Sequence, residues 1–79
     1  MSDMHTDGTV SITVNGEHKR VPGGQTIAQL VTTMGFVPEK VAVERNLEVV
    51  PRSTLAQVLV EDGDELEVVH FVGGGDLGG

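Results

Sequence analysis

Val10, Ile12 and Val14 alternate with Ser11 and Thr13, the period-two pattern of a strand with one buried face. Asn15-Gly16 follows at once. That dipeptide takes the positive φ angles of a type I′ turn, so the chain is expected to reverse into a second strand over residues 17–21. Pro22, Gly23 and Gly24 then end the hairpin. The period changes next. Ile27, Leu30, Val31 and Met34 stand at i, i+3, i+4 and i+7, one stripe of a helix, behind a Thr26/Gln29 capping box. Gly35 fits the left-handed C′ position, and Pro38 disfavours continuation.

Val41 and Val43 resume an extended pattern, Asn46 marks a turn, and residues 47–50 read as a short strand ending at Pro51. Residues 52–60 read two ways. Ser53, Thr54, Leu55 and Ala56 suggest a brief helical turn, while Val58 to Val60 suit an extended segment. Glu61, Asp62, Gly63 and Asp64 form a polar turn before a last strand over residues 65–72. Hairpin, helix, strand, short strand, turn and strand make an α+β domain, a mixed sheet packed on one main helix. The expected organisation is a flexible leader over residues 1–8, a single domain over 9–72, and a flexible glycine-rich tail over 73–79.

Seventy-nine residues bury too little surface for a deep, water-excluding active site. With no cysteine there is no disulfide, thiolate metal site or cysteine nucleophile, so any sulfur handled here comes from a partner. No run approaches the roughly 20 apolar residues that span a bilayer, so neither membrane association nor a location outside the cytoplasm is expected. Twelve acidic against five basic residues give a net charge of −7, which repels nucleic acid and attracts basic protein surfaces.

The tail, Gly73-Gly74-Gly75-Asp76-Leu77-Gly78-Gly79, holds five glycines. Seven extended residues reach roughly 20 Å, and glycine passes through channels that exclude side chains. A terminal carboxylate resists nucleophiles because its charge is delocalised and oxide leaves poorly. Adenylation by ATP supplies AMP as a leaving group, and sulfide or a persulfide can then place sulfur on the terminus.

Residues 47–52 (LEVVPR), Leu55-Ala56, residues 61–69 (EDGDELEVV) and residues 71–75 (FVGGG) resemble the C-terminal half of the ThiS family. The Asn15-Gly16 hairpin and the helix capped from Gln25-Thr26 resemble its N-terminal half. The resemblance implies a β-grasp, ubiquitin-like fold and a cytoplasmic sulfur carrier for thiamine (thiazole) biosynthesis. The chain would not itself be an enzyme, but a protein cosubstrate adenylated at its C-terminal glycine. It implies three partners: a ThiF-type adenylyltransferase, a ThiG-type thiazole synthase that accepts the sulfur from the thiocarboxylate, and a sulfur donor such as a cysteine desulfurase. It also implies no bound cofactor, with ATP consumed by the activating enzyme.

Family members end near the position of Gly75, whereas this sequence continues for four residues. The expected activated terminus is therefore Gly79, preceded by Gly78, with Gly75 in its place if the last four residues are removed; Gly73, Gly74 and Gly75 form the flexible segment. Carriers for molybdopterin, tRNA thiolation or cysteine synthesis share this plan. So does a ubiquitin-like modifier or interaction module without sulfur chemistry.

Alternation sets Val69 and Phe71 opposite Leu66 and Val68, so a one-helix sheet leaves that pair either open for docking or packed as extra core under a loop. Asp62 and Asp64, in a turn expected to be solvated, are placed as further docking residues facing a basic patch on the activating enzyme. Gly73, Gly75 and Gly78 match G-x-G-x-x-G but precede no helix that could receive a pyrophosphate. His5, His18 and His70 share no metal-ligand spacing.

Overall fold

A computed structural model describes residues 8–71. The leader residues 1–7, Val72, and the tail residues Gly73, Gly74, Gly75, Gly78 and Gly79 lie outside the described residues. The chain forms β1 (Thr9–Val14), β2 (Glu17–Pro22), α1 (Ile27–Thr33), β3 (Val41–Arg45), β4 (Glu48–Val50) and β5 (Glu65–His70). Short 3₁₀ turns at Pro38–Lys40 and Arg52–Thr54 link the later elements. The five strands run β2-β1-β5-β3-β4 across one sheet, with β5 parallel to β1 and antiparallel to β3. One helix on a mixed sheet is the expected α+β, β-grasp arrangement.

Asn15 (φ 53°) and Gly16 (φ 82°) both occupy the left-handed region and close β1 onto β2 with Val14 opposite Glu17. The second hairpin repeats this backbone at Asn46 (φ 53°) and Leu47 (φ 73°), closing β3 onto β4. Leu47 therefore belongs to the turn rather than to a strand over 47–50. Arg45 already faces Glu48, which leaves room for two loop residues only.

Seven residues make a helix too short to stand alone, so its ends must be satisfied by the rest of the chain. Thr26 and Gln29 form the reciprocal capping box, with bonds of 2.8 and 3.1 Å. The remaining early donors reach across to residues 55–58: Ile27 N–H donates to Val58 O and Ala28 N–H to Leu55 O, each at 2.9 Å. This settles the ambiguous segment. A 3₁₀ turn comes first, then Leu59 bridges Thr26 in an extended stretch. At the other end Gly35 takes φ 95°, donating to Thr32 O while Phe36 N–H donates to Val31 O, a Schellman closure.

The helix buries Ile27, Leu30 and Val31 against Ile12, Val14, Val41, Val43, Leu66 and Val68, with Leu55 and Val60 closing the end. Each such side chain contributes roughly 1.5–3 kcal/mol of transfer free energy. The opposite sheet face has no covering element among the described residues, and there the side chains face solvent.

The tail exit and the open sheet face

β5 is central, with neighbours on both sides, and it is the strand that leads into the tail. Its last residues are held firmly. His70 faces Val41, and Phe71 N–H donates to Lys40 O at 2.9 Å, one residue past the strand. The Arg52 guanidinium stands 5.6 Å from the centroid of the Phe71 ring and donates through Nη2 to Val41 O at 3.3 Å. A cation–π contact at so exposed a site contributes about 0.5–1 kcal/mol. On the helix side, the Phe36 and His70 rings lie 5.7 Å apart and tilted by 41°. The point where the chain leaves the sheet is thus fixed from both faces.

Because Leu66 and Val68 point at the helix, Glu65, Glu67, Val69 and Phe71 line the open face. Val69 is 59% exposed and Phe71 44%. Ala42 sits directly across from Val69, extending the apolar end of the face onto β3. Farther from the tail the face turns acidic: Glu67 lies opposite Glu44, which in turn faces the exposed Val49 on β4. Neither this graded face nor the Arg52–Phe71 contact follows from sequence spacing. Only the alternation of apolar residues in β5 is visible there.

The acidic turn differs from its expected solvated form. Asp64 is 4% exposed. Its carboxylate accepts from Arg45 Nε at 3.0 Å, Asn46 Nδ2 at 3.2 Å and the Glu61 N–H at 2.9 Å. It has become a structural anchor because Gly63, at φ 88°, turns the chain back over the β3–β4 hairpin. Asp62 remains exposed, but its Oδ1 accepts from Ser11 N–H at 2.8 Å. Asp64 is therefore withdrawn from any docking surface, and Asp62 spends one oxygen on β1.

No group of three or more His, Asp, Glu or Cys side chains among the described residues could hold a metal ion. A surface hollow of about 520 Å³ over α1 is lined by Gln25, Ala28, Gln29, Thr32 and Thr33, with no ionisable group for acid–base chemistry. No helix among the described residues is long and apolar enough to cross a membrane.

The ThiS family model matches residues 12–75. A thiazole synthase of Paramagnetospirillum magneticum is 48% identical over 66 residues, 84% of this chain. The chain spans 20% of that protein's length. The sulfur carrier protein ThiS of Bacillus subtilis is 40% identical over 50 residues, covering 63% of this chain and 76% of the relative. The crystal structure of ThiS from Geobacter metallireducens superposes with a TM-score of 0.69 at 34% identity, covering 82% of this chain and 99% of that one. With a one-helix β-grasp sheet, a fixed exit for the C-terminal strand and a family match over most of its length, this chain belongs to the ThiS family.

Proposed function

We propose that this chain is a cytoplasmic sulfur carrier of thiamine biosynthesis, a protein cosubstrate that carries sulfur on its C-terminal glycine. The observation that carries the reading is the family match running to Gly75, through the glycines that follow β5. Glycine bears no side chain, so a partner's channel can accept this segment while the domain stays outside. An adenylyltransferase of the ThiF type joins the terminal carboxylate to AMP and releases pyrophosphate. Hydrosulfide displaces AMP to give the thiocarboxylate directly. A persulfide, made for instance by a cysteine desulfurase, gives an acyl disulfide whose S–S bond a second thiol cleaves to the same product.

The acceptor is then a thiazole synthase of the ThiG type. The similarity of one region of a thiazole synthase to this chain supports that partnership. Val69 and Phe71, exposed beside the exit, supply the apolar docking contact. Gly79, preceded by Gly78, is the activated residue, with Gly75 in that role if Asp76 to Gly79 are removed.

The test is the intact mass of the chain after incubation with the adenylyltransferase, ATP and a sulfur source. A gain equal to one oxygen-to-sulfur exchange supports the reading and locates the sulfur at Gly79 or Gly75. No adenylate and no mass gain, with an enzyme active on another carrier, defeats it. Isopeptide conjugates on lysines would point instead to a ubiquitin-like modifier.

A further inference from the structure

We propose that Asn15 is a self-modification site, at which the chain deamidates through the Gly16 nitrogen and thereby loosens its hold on β5. Asparagine is among the thermolabile residues. Its amide carbon lies within reach of the next peptide nitrogen, whose attack closes a five-membered ring. The two asparagines of the chain, Asn15 and Asn46, begin the two hairpin turns with the same left-handed backbone, but only Asn15 precedes a glycine. At Gly16 no side chain shields the nitrogen, and beyond its chain neighbours nothing lies within 4 Å of where a Cβ would stand. At the second turn the branched side chain of Leu47 guards the corresponding nitrogen. Asn15 and Gly16 are both exposed, so water reaches them and ammonia can leave.

The step needs no co-reactant but water. Gly16 N bonds to Asn15 Cγ, the Cγ–Nδ2 bond breaks, and the Gly16 proton departs with the amide nitrogen as ammonia. Water then opens the ring. Its addition at Cγ gives aspartate, its addition at the main-chain carbonyl of residue 15 gives isoaspartate, and in both cases Gly16 N regains a proton. Asp62-Gly63 shares the following glycine, but a carboxylate resists nucleophiles, as the terminal one does.

The fold sets the pace. The Val68 peptide engages both ends of the Asn15 amide, donating to Oδ1 at 2.8 Å and accepting from Nδ2 at 3.2 Å. The amide must leave those bonds before Cγ can turn to Gly16 N. Either product then weakens the attachment. Aspartate sets an acceptor where Nδ2 donated to Val68 O. Isoaspartate adds a carbon to the main chain of a turn with room for two residues between Val14 and Glu17. Because Asn15 meets Val68 across 53 positions, damage at the first turn is felt on the strand that leads into the tail.

The test ages the full chain in mildly alkaline buffer, with and without urea, and maps by peptide the mass change of an NH₂-to-OH exchange. The Asn15 peptide is expected to show it and the Asn46 peptide not. The folded chain reacts roughly 30-fold more slowly than the unfolded one, the factor expected for opening two hydrogen bonds. In urea, Leu47→Gly brings Asn46 to the rate of Asn15. The modified protein, separated by its added negative charge, melts about 5–10 °C below the intact chain. Modification of Asn46 ahead of Asn15, or equal rates with and without urea, overturns the assignment. A modified fraction that melts with the intact chain overturns the loosening of β5.

Discussion

Asn15-Gly16 and Asn46-Leu47 close their hairpins with the same left-handed backbone, yet only the first pair has the composition that favours it. Gly16 adopts φ 82° without steric cost, whereas Leu47 holds φ 73° with its side chain 83% exposed and little packing to offset the strain. The asparagines account for the persistence of both. Asn15 Oδ1 accepts from Val68 N–H at 2.8 Å and its Nδ2 donates to Val68 O at 3.2 Å. Asn46 Oδ1 accepts from Glu65 N–H at 2.9 Å, and its Nδ2 donates to Asp64 Oδ1. Each also donates its backbone N–H to β5, at Leu66 O and Glu65 O. The turns are clamps on either side of the central strand. Their hold resides in the first residue, which is why the second can be glycine or leucine.

The sharpest way to break one clamp is through Asp64, which supports Asn46 from beneath. Asp64→Ala leaves Arg45 without its buried partner and is expected to cost about 3 kcal/mol in urea unfolding. A loss under about 1 kcal/mol would show that water replaces the carboxylate and that the anchor is dispensable. Next come the clamps themselves. Asn15→Ala removes both bonds to a half-buried Val68 peptide and is expected to cost about 2 kcal/mol, against roughly 1.5 kcal/mol for Asn46→Ala, whose backbone acceptor site is more exposed. Equal losses would mean that burial does not separate the two sides. The smallest effects have opposite signs: Gly16→Ala destabilises by about 1 kcal/mol, while Leu47→Gly stabilises by about the same amount. Melting curves of the two variants shifting in the same direction would refute the strain assigned to Leu47.

Local signals were legible in the sequence. The Asn15-Gly16 turn, the Thr26/Gln29 box and the Gly35 closure each depend on residues within a few positions, and all occur as the pattern implies. The apolar stripe of α1 and the alternation of β5 likewise gave the core and the open face. What could not be read spans long distances. Asn15 meets Val68 across 53 positions, and Asp64 meets Arg45 across 19. Nothing in Glu-Asp-Gly-Asp distinguishes an exposed acid from one folded under a neighbouring hairpin, so Asp64 read as a docking residue. Leu47 read as strand because leucine carries no left-handed preference, and only the pairing of Arg45 with Glu48 reveals its place. At the candidate site, Val69 and Phe71 were visible from alternation, whereas the Glu44–Glu67 rung required the register of β3 on β5.

The parallel pairing of β1 with β5 has a mechanical consequence. Because these strands run the same way, β1 begins at one end of the sheet and β5 leaves at the other, so a pull between them acts along the strands. Gly63 to Ser11, Thr13 to Asp64, Asn15 to Leu66 and the Asn15 side chain to Val68 are then loaded in shear together, rather than opened singly as in a zipper. A partner that draws the tail into its channel can take up tension without unravelling the strand that bears it.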